Sequence, residues 1–198
     1  MTYLVLGLLI FLGIHSTRVF AEGWRTHFIA QRGEKAWKGL YSVLSVVGFI
    51  LIIWGYGMAR QNPVPLWTPL PSGVRHAASL LTLFAFVLLA GAYVPGNHIK
   101  AAVKHPMILG VKLWAFSHLI VNHTLADLLL FGGFLVWAVL SFRAARGRDR
   151  ALGLVYAPGR VLPTVLTVVI GMALWAAFAF WAHGAWIGVR PFARVAAG

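Results

Sequence analysis

Long continuous apolar runs, separated by short clusters of basic and turn-forming residues, make up nearly the whole of this chain. A helix needs roughly 20 mainly apolar residues to cross the hydrocarbon core of a bilayer. Six runs approach that requirement: residues 3–20, 40–58, 77–94, 106–121, 125–142 and 161–189. The third stops at Pro95-Gly96. The fourth is short and carries Lys112 and His118. The sixth is longer than the core requires, so it tilts or leaves the hydrocarbon near residues 181–183. Strands of a membrane barrel alternate apolar and polar positions over segments of ~10 residues. These runs do not alternate, so all six read as helices. The predicted fold class is all-α: a polytopic integral membrane helical bundle of about six transmembrane helices, in a single domain over residues 1–198. No internal repeat, low-complexity segment or separate soluble domain interrupts it. Val19-Phe20-Ala21 looks like a signal-peptide cleavage site. However, nothing basic precedes the first run and Arg18 sits beside the site, so the run reads as an uncleaved span.

Composition narrows the class further. The chain has 198 residues, of which 60% are hydrophobic and only 11% charged, against about 25% charged in soluble domains. Lys and Arg number 17 and Asp and Glu 4, for a formal net charge of +13. Nucleic-acid binders are as basic but not as apolar, so nucleic acid is excluded and the lipid bilayer is the expected partner. The absence of cysteine excludes disulfides, CxxC zinc sites, iron–sulfur clusters, thiolate-ligated haem and a cysteine nucleophile.

The positive charge is unevenly placed. Arg18, Arg25, Arg32, Lys35 and Lys38 follow the first run, Lys100 and Lys104 the third, and Arg143, Arg146, Arg148, Arg150 and Arg160 the fifth. The opposite side holds only Arg60, Arg75, Arg190 and Arg194. Cytoplasmic loops collect Lys and Arg. The chain is therefore expected in a bacterial inner (cytoplasmic) membrane, multi-pass, with both termini periplasmic. Trp24, Trp37, Trp54, Trp67, Trp181 and Trp186 lie near run ends, where interfacial anchors belong.

Ionisable side chains inside a bilayer are costly and are functional candidates by default. His15 lies in the first run. His118 lies in the fourth, with Asn122 four residues on and Lys112 two turns earlier. His105-Pro106 opens the fourth run, with proline at a favoured first-turn position, and His76 opens the third. Neutral imidazole is the commonest protein metal ligand, and haem iron takes a proximal histidine. Two histidines on facing helices are thus candidate clamps for a haem b, with Arg18, Arg25 or Lys112 as partners of its propionates. The competing reading is a histidine hydrogen-bonded to a neighbouring helix as packing glue. His27, His98, His123 and His183 lie near the interfaces and favour that second reading. His15 and His118 fall on opposite sides of the membrane midplane, ~10 Å apart in depth at 1.5 Å per residue. His105 lies nearer the inner surface than His15, so His15–His118 is the better pair. Asp127 is expected to partner Lys112 or His123. The 143–150 basic run is a topogenic signal near anionic lipid, with Asp149 holding neighbouring arginines. No GxSxG, HExxH, GxGxxG or Walker A pattern occurs, and the four acids are scattered. Any chemistry therefore belongs to a cofactor.

The run His105-Pro106, Gly110, Lys112, Trp114, His118 and Asn122, followed by Ala126-Asp127 and Gly132, resembles the signature of the NnrU family. Gly13-Ile14-His15-Ser16 with Arg18 resembles its N-terminal part, and the likeness covers essentially the whole chain. The family is multi-pass and associated with bacterial denitrification, where it is linked to nitrite and nitric oxide reduction. It is similar in turn to the plant 15-cis-zeta-carotene isomerase, a haem-b membrane enzyme. His15-Ser16 and His105-Pro106 match that enzyme's HS and HP motifs. Trp114 with His118 matches its downstream W-x3-H, and Arg148-Asp149-Arg150 echoes its N-G-D-R-like segment. The resemblance implies haem b, with His15 and His118 as candidate axial ligands. The isomerase carries a cysteine three residues before the second histidine. Here Ala115 stands there, so a thiolate-dependent ligand switch is impossible.

Three functions compete. The first is a haem-dependent membrane protein, either a polyene isomerase or a redox or nitric-oxide-responsive factor. The second is a non-enzymatic accessory or assembly protein for a respiratory nitrogen-oxide reductase system, without cofactor. The third is a membrane methyltransferase of the isoprenylcysteine type, which also opens a late span with HP. That class uses C-terminal acids, and no acid follows Asp149 here.

Overall fold

The computed structural model describes residues 1–68 and 73–192. In chain order the helices are α1 (Thr2–His15), α2 (Thr17–Phe20), α3 (Glu22–Ala59), α4 (Gly73–Tyr93), α5 (His98–Val103), α6 (Pro106–Leu119), α7 (Leu125–Ala151) and α8 (Val161–Ala177). The last runs on as a π-helical segment, Phe178–Ile187. Among the described residues the extended pairings are isolated bridges, Pro65 with Thr124 and Asn97 with Arg160. The protein is therefore all-helical. Four helices are long and apolar enough to cross a membrane: Glu22–Ala59, Gly73–Tyr93, Leu125–Ala151 and Val161–Ile187. The α1 and α6 helices have 14 residues each. At 1.5 Å per residue each is about 21 Å long, short of the ~30 Å hydrocarbon core.

Helix ends depart from the apolar runs for identifiable reasons. The first run extends to residue 20, but α1 stops at His15. There Ser16 and Thr17 turn the chain, with Thr17 Oγ1 donating to the Ile14 carbonyl at 2.9 Å, the competition for backbone acceptors typical of hydroxyl residues. The α7 helix continues past residue 142 through the basic run, because Ala and Arg are strong helix formers. Arg146 pairs there with Asp149 at 3.7 Å, as expected of that acid. Arg148 and Arg150 in the last turn suit the negative end of the helix dipole.

Residues 22–39 are helical rather than a loop. The 38-residue α3 bends at Gly33, whose φ of 82° and ψ of 160° are non-helical. That region is open essentially to glycine alone. The bend folds residues 22–32 back: the Trp24 and Phe28 rings lie 5.7 and 5.9 Å from Trp37. In a straight helix residues 24 and 37 are about 20 Å apart along the axis. Arg25 stacks over the same Trp37 ring at 5.7 Å. Trp37 is consequently buried and not an exposed anchor, unlike Trp24, Trp54, Trp67, Trp181 and Trp186.

The chain divides into two compact units: Met1–Pro69 with Asn122–Leu154, and Leu70–Val121 with Val155–Gly198. In the first, α1 packs against α3 almost backbone to backbone. A Cβ on Gly7 meets Ile52 N at 2.6 Å, and one on Gly55 collides with the Leu4 backbone. Phe131, Ala138 and Ala145 form the buried stripe of α7 at seven-residue spacing. Gly133 on α7 faces Leu8 and Leu12 of α1. Small residues at such seams are how membrane helices approach closely without a hydrophobic driving force. The outer face of α3 presents Val43, Val46, Ile50, Ile53 and Trp54, all more than half exposed. Such a stripe suits lipid, not water.

In the second unit α4 is central, with α6 and α8 against it. Gly110 of α6 approaches the Ala85 carbonyl (3.0 Å from its Cβ position), and Gly171 of α8 approaches Val87 Cα (2.6 Å). Trp175 Nε1 donates to Thr82 Oγ1 at 3.2 Å, and Val161, Leu162, Val165, Val169 and Leu174 are the exposed apolar face of α8. The π-helical segment covers the stretch where the sixth run was expected to leave the hydrocarbon. It ends on Gly188 in the left-handed conformation, a common helix stop.

Candidate functional site

His15 closes α1 in the first unit. Its Nδ1 lies 2.7 Å from the Phe11 carbonyl. The acceptor is a carbonyl, so Nδ1 carries a proton, and a neutral ring in this geometry has its lone pair on Nε2. Phe11 stacks on the ring at 4.1 Å, Tyr41 lies at 5.0 Å and Trp137 stands edge-on at 6.1 Å. Trp137 Nε1 and, one turn along α7, Ser141 Oγ are buried without a hydrogen-bond partner among the described residues. Both are polar atoms that a bound group or an ordered water would satisfy.

His118 repeats the same device in the second unit. It sits in the last turn of α6, and its Nδ1 lies 2.8 Å from the Trp114 carbonyl, with Ser117 Oγ at 3.3 Å. Trp114 lies against the ring at 5.3 Å. Each unit thus holds one half-buried histidine at a helix end, its Nδ1–H fixed on the carbonyl four residues back and an aromatic residue at that same position. Metal-ligating histidines are oriented by such a hydrogen bond from the non-ligating nitrogen. The donor chemistry therefore fits a haem iron, which asks the protein only for axial ligands. Among the described residues no group of three or more His, Cys, Asp or Glu gathers to hold a metal ion.

The other predicted site residues scatter. Arg18 is half exposed and pairs with Glu22 at 3.5 Å; its carbonyl accepts from Arg148 Nη1 at 2.8 Å. Lys112 is exposed on α6, about 120° around the helix from His118 at 100° per residue. His105 is the N-cap of α6, followed by Pro106 at the first turn, and its ring stands edge-on to Tyr156 at 6.4 Å. Asp127 is held inside its own unit and not by His123. Its Oδ2 accepts from Thr124 N at 3.0 Å and Thr124 Oγ1 at 2.6 Å, and its Oδ1 from Tyr56 OH at 2.5 Å. It closes a capping box on α7 and ties that helix to α3. His98 bonds Thr164 Oγ1 at 2.9 Å and His183 bonds the Val189 carbonyl at 2.6 Å, as structural histidines do. Arg194 lies outside the described residues.

Two features were not read from the sequence. Asn97 is 1% exposed. Its Nδ2 donates to the Gly91 and Val94 carbonyls at 2.9 and 2.5 Å, and its Oδ1 accepts from Lys100 N at 2.7 Å. The Pro-Gly-Asn order was the available signal, since asparagine caps helices after a turn. Lys104 has φ 68° and ψ −45°, and His105 N donates across it to the Val103 carbonyl at 2.8 Å. That is the rare, strained form of γ-turn, placed directly before the His-Pro pair. Strain of this kind gathers at functional positions.

No curated protein and no solved structure matches the chain. The model of the NnrU protein family matches residues 3–191, nearly its full length, and the chain belongs to that family.

Proposed function

We propose that this membrane protein binds haem b, with His15 and His118 as the candidate axial ligands. The observation that carries the reading is the shared histidine device. In both rings Nδ1–H is committed to a backbone carbonyl, which fixes the tautomer that ligates through Nε2. A haem held this way is non-covalent, since a chain without cysteine has no thioether attachment. Bound haem supplies a redox-active iron. The chain's own part is to hold the imidazoles neutral and oriented and to keep water out with apolar helices. Arg18 and Lys112 are the candidate propionate partners, and His105 is the reserve ligand at the head of α6. The process served is nitrite and nitric oxide reduction in denitrification, with cis–trans isomerisation of an apolar polyene as the other chemistry of this haem class. The location is the bacterial inner membrane, with both termini periplasmic.

The test is the absorption spectrum of detergent-purified protein, oxidised and reduced, made with ample haem supply. The wild type gives a Soret band, and His15→Ala and His118→Ala each shift or lose it. A band unchanged in both variants removes these residues as ligands. A second reading is a cofactor-free accessory protein of a nitrogen-oxide reductase system. It is favoured by the packing of the His15 ring among Phe11, Tyr41 and Trp137, and it predicts a colourless protein.

A further inference from the structure

A groove of about 550 Å³ runs along α1 and α2 in the first unit, closed on its far side by Leu129 and Gly133 of α7. That volume falls within the roughly 300–1,000 Å³ of small-molecule sites. Its floor is apolar, with Leu8, Leu12 and Gly133, and its rims carry Leu9 at 66% and Phe20 at 72% exposure. Its polar lining residues are Ser16 and Thr17, and just after them in the chain the charges gather. Arg148 Nη1 donates to the Arg18 carbonyl at 2.8 Å, and Arg18 and Arg25 share the single carboxylate of Glu22 at 3.5 and 3.1 Å. Arg146 holds Asp149 at 3.7 Å. Two acids thus face four arginines among these pairs.

We infer that this groove is a binding site for an anionic phospholipid, one acyl chain lying along α1 and α7 and the phosphate meeting the Arg18–Arg148 end. The occupant follows from three facts together. Its rims expose the large apolar side chains of Leu9 and Phe20. Its lining is apolar except for Ser16 and Thr17. Beside that polar pair lies an excess of positive charge, which selects an anionic headgroup over a zwitterionic one. The site shares Arg18 with the haem reading, where that residue is a candidate propionate partner, but in itself it requires only a membrane location.

The glycines make it testable. A Cβ on Gly13, which lines the groove, meets nothing within 4 Å, so Gly13→Leu fills the groove without disturbing the helix seams. The experiment is native mass spectrometry of the detergent-purified full chain, titrated with phosphatidylglycerol or phosphatidylcholine of identical acyl chains. The wild type retains phosphatidylglycerol about tenfold better than phosphatidylcholine. Gly13→Leu loses the retained lipid while melting at or above the wild-type temperature. Arg148→Gln abolishes the headgroup preference, whereas Arg32→Gln, outside the groove lining and the Arg18–Glu22–Arg148 cluster and equal in charge change, keeps it. Equal retention of the two lipids, wild-type binding by Gly13→Leu, or equal effects of Arg148→Gln and Arg32→Gln would each overturn the proposal.

Discussion

Gly33 gives the sharpest test of how the basic segment after α1 folds. It is the one residue of α3 with non-helical torsions, φ 82° and ψ 160°. A Cβ added there meets nothing within 4 Å, so Gly33→Ala acts through the backbone alone. Holding a non-glycine residue in that region costs about 1–3 kcal/mol. Gly39 is the matched control: it lies in the same helix, its Cβ position is equally empty, and its torsions are helical. Gly39→Ala removes a glycine from a helix interior and gains about 0.5–1 kcal/mol. The two chemically identical substitutions should therefore act with opposite sign and differ by about 1.5–4 kcal/mol. At about 2–4 °C per kcal/mol for a chain of this size, detergent-solubilised protein followed by circular dichroism resolves the difference. Gly33→Ala melts below the wild type and Gly39→Ala at or above it. If Gly33→Ala melts with Gly39→Ala, the fold-back of residues 22–32 onto Trp37 is wrong.

Other expectations concern the seams and the orientation. Gly171→Ala places a Cβ 2.6 Å from Val87 Cα, and a thermal melt should show a loss of about 1–3 kcal/mol from overpacking. Tyr56→Phe removes a charged hydrogen bond to buried Asp127 and should cost about 1.5–3 kcal/mol. Thr124→Ala, which removes the cap from the same carboxylate, should cost about 0.5–2 kcal/mol. The double variant should be non-additive, because both partners serve one carboxylate; strict additivity would show that Asp127 does not join them. The chain has no cysteine, so single cysteines report sidedness directly. With both termini periplasmic, an impermeant maleimide applied to intact cells labels Asn62→Cys and spares Arg143→Cys, and the reverse pattern inverts the topology.

Much of this architecture is written in the apolar runs. Their continuity specifies helices, and four of the six expected spans coincide with helices long enough to cross a bilayer. What the runs do not encode is where a helix ends once its sequence becomes polar. Hydropathy stops at residue 142, yet Ala, Arg and the Arg146–Asp149 pair carry α7 to Ala151. In the other direction, two hydroxyl residues end α1 inside an apolar run. The partners of Asp127 were hidden for a similar reason. Thr124 stands three residues before it, a legible capping box, but Tyr56 lies 71 residues away in sequence. For His15 and His118, sequence singled out the residues as rare ionisable groups in apolar surroundings. The Phe11 and Trp114 carbonyls that set their tautomers follow only once helical geometry places a residue four positions back under the ring. Lys104 gave no signal, since nothing in a lysine announces a positive φ.

The central claim is that these helices hold a haem through neutral imidazoles. The most direct measurement is the haem content of the purified, haem-replete protein by pyridine haemochromogen assay. Stoichiometric haem b, reduced to trace in the His15→Ala, His118→Ala double variant with unchanged helical content by circular dichroism, is the predicted result. Wild-type protein that is folded but haem-free under the same supply would contradict the claim.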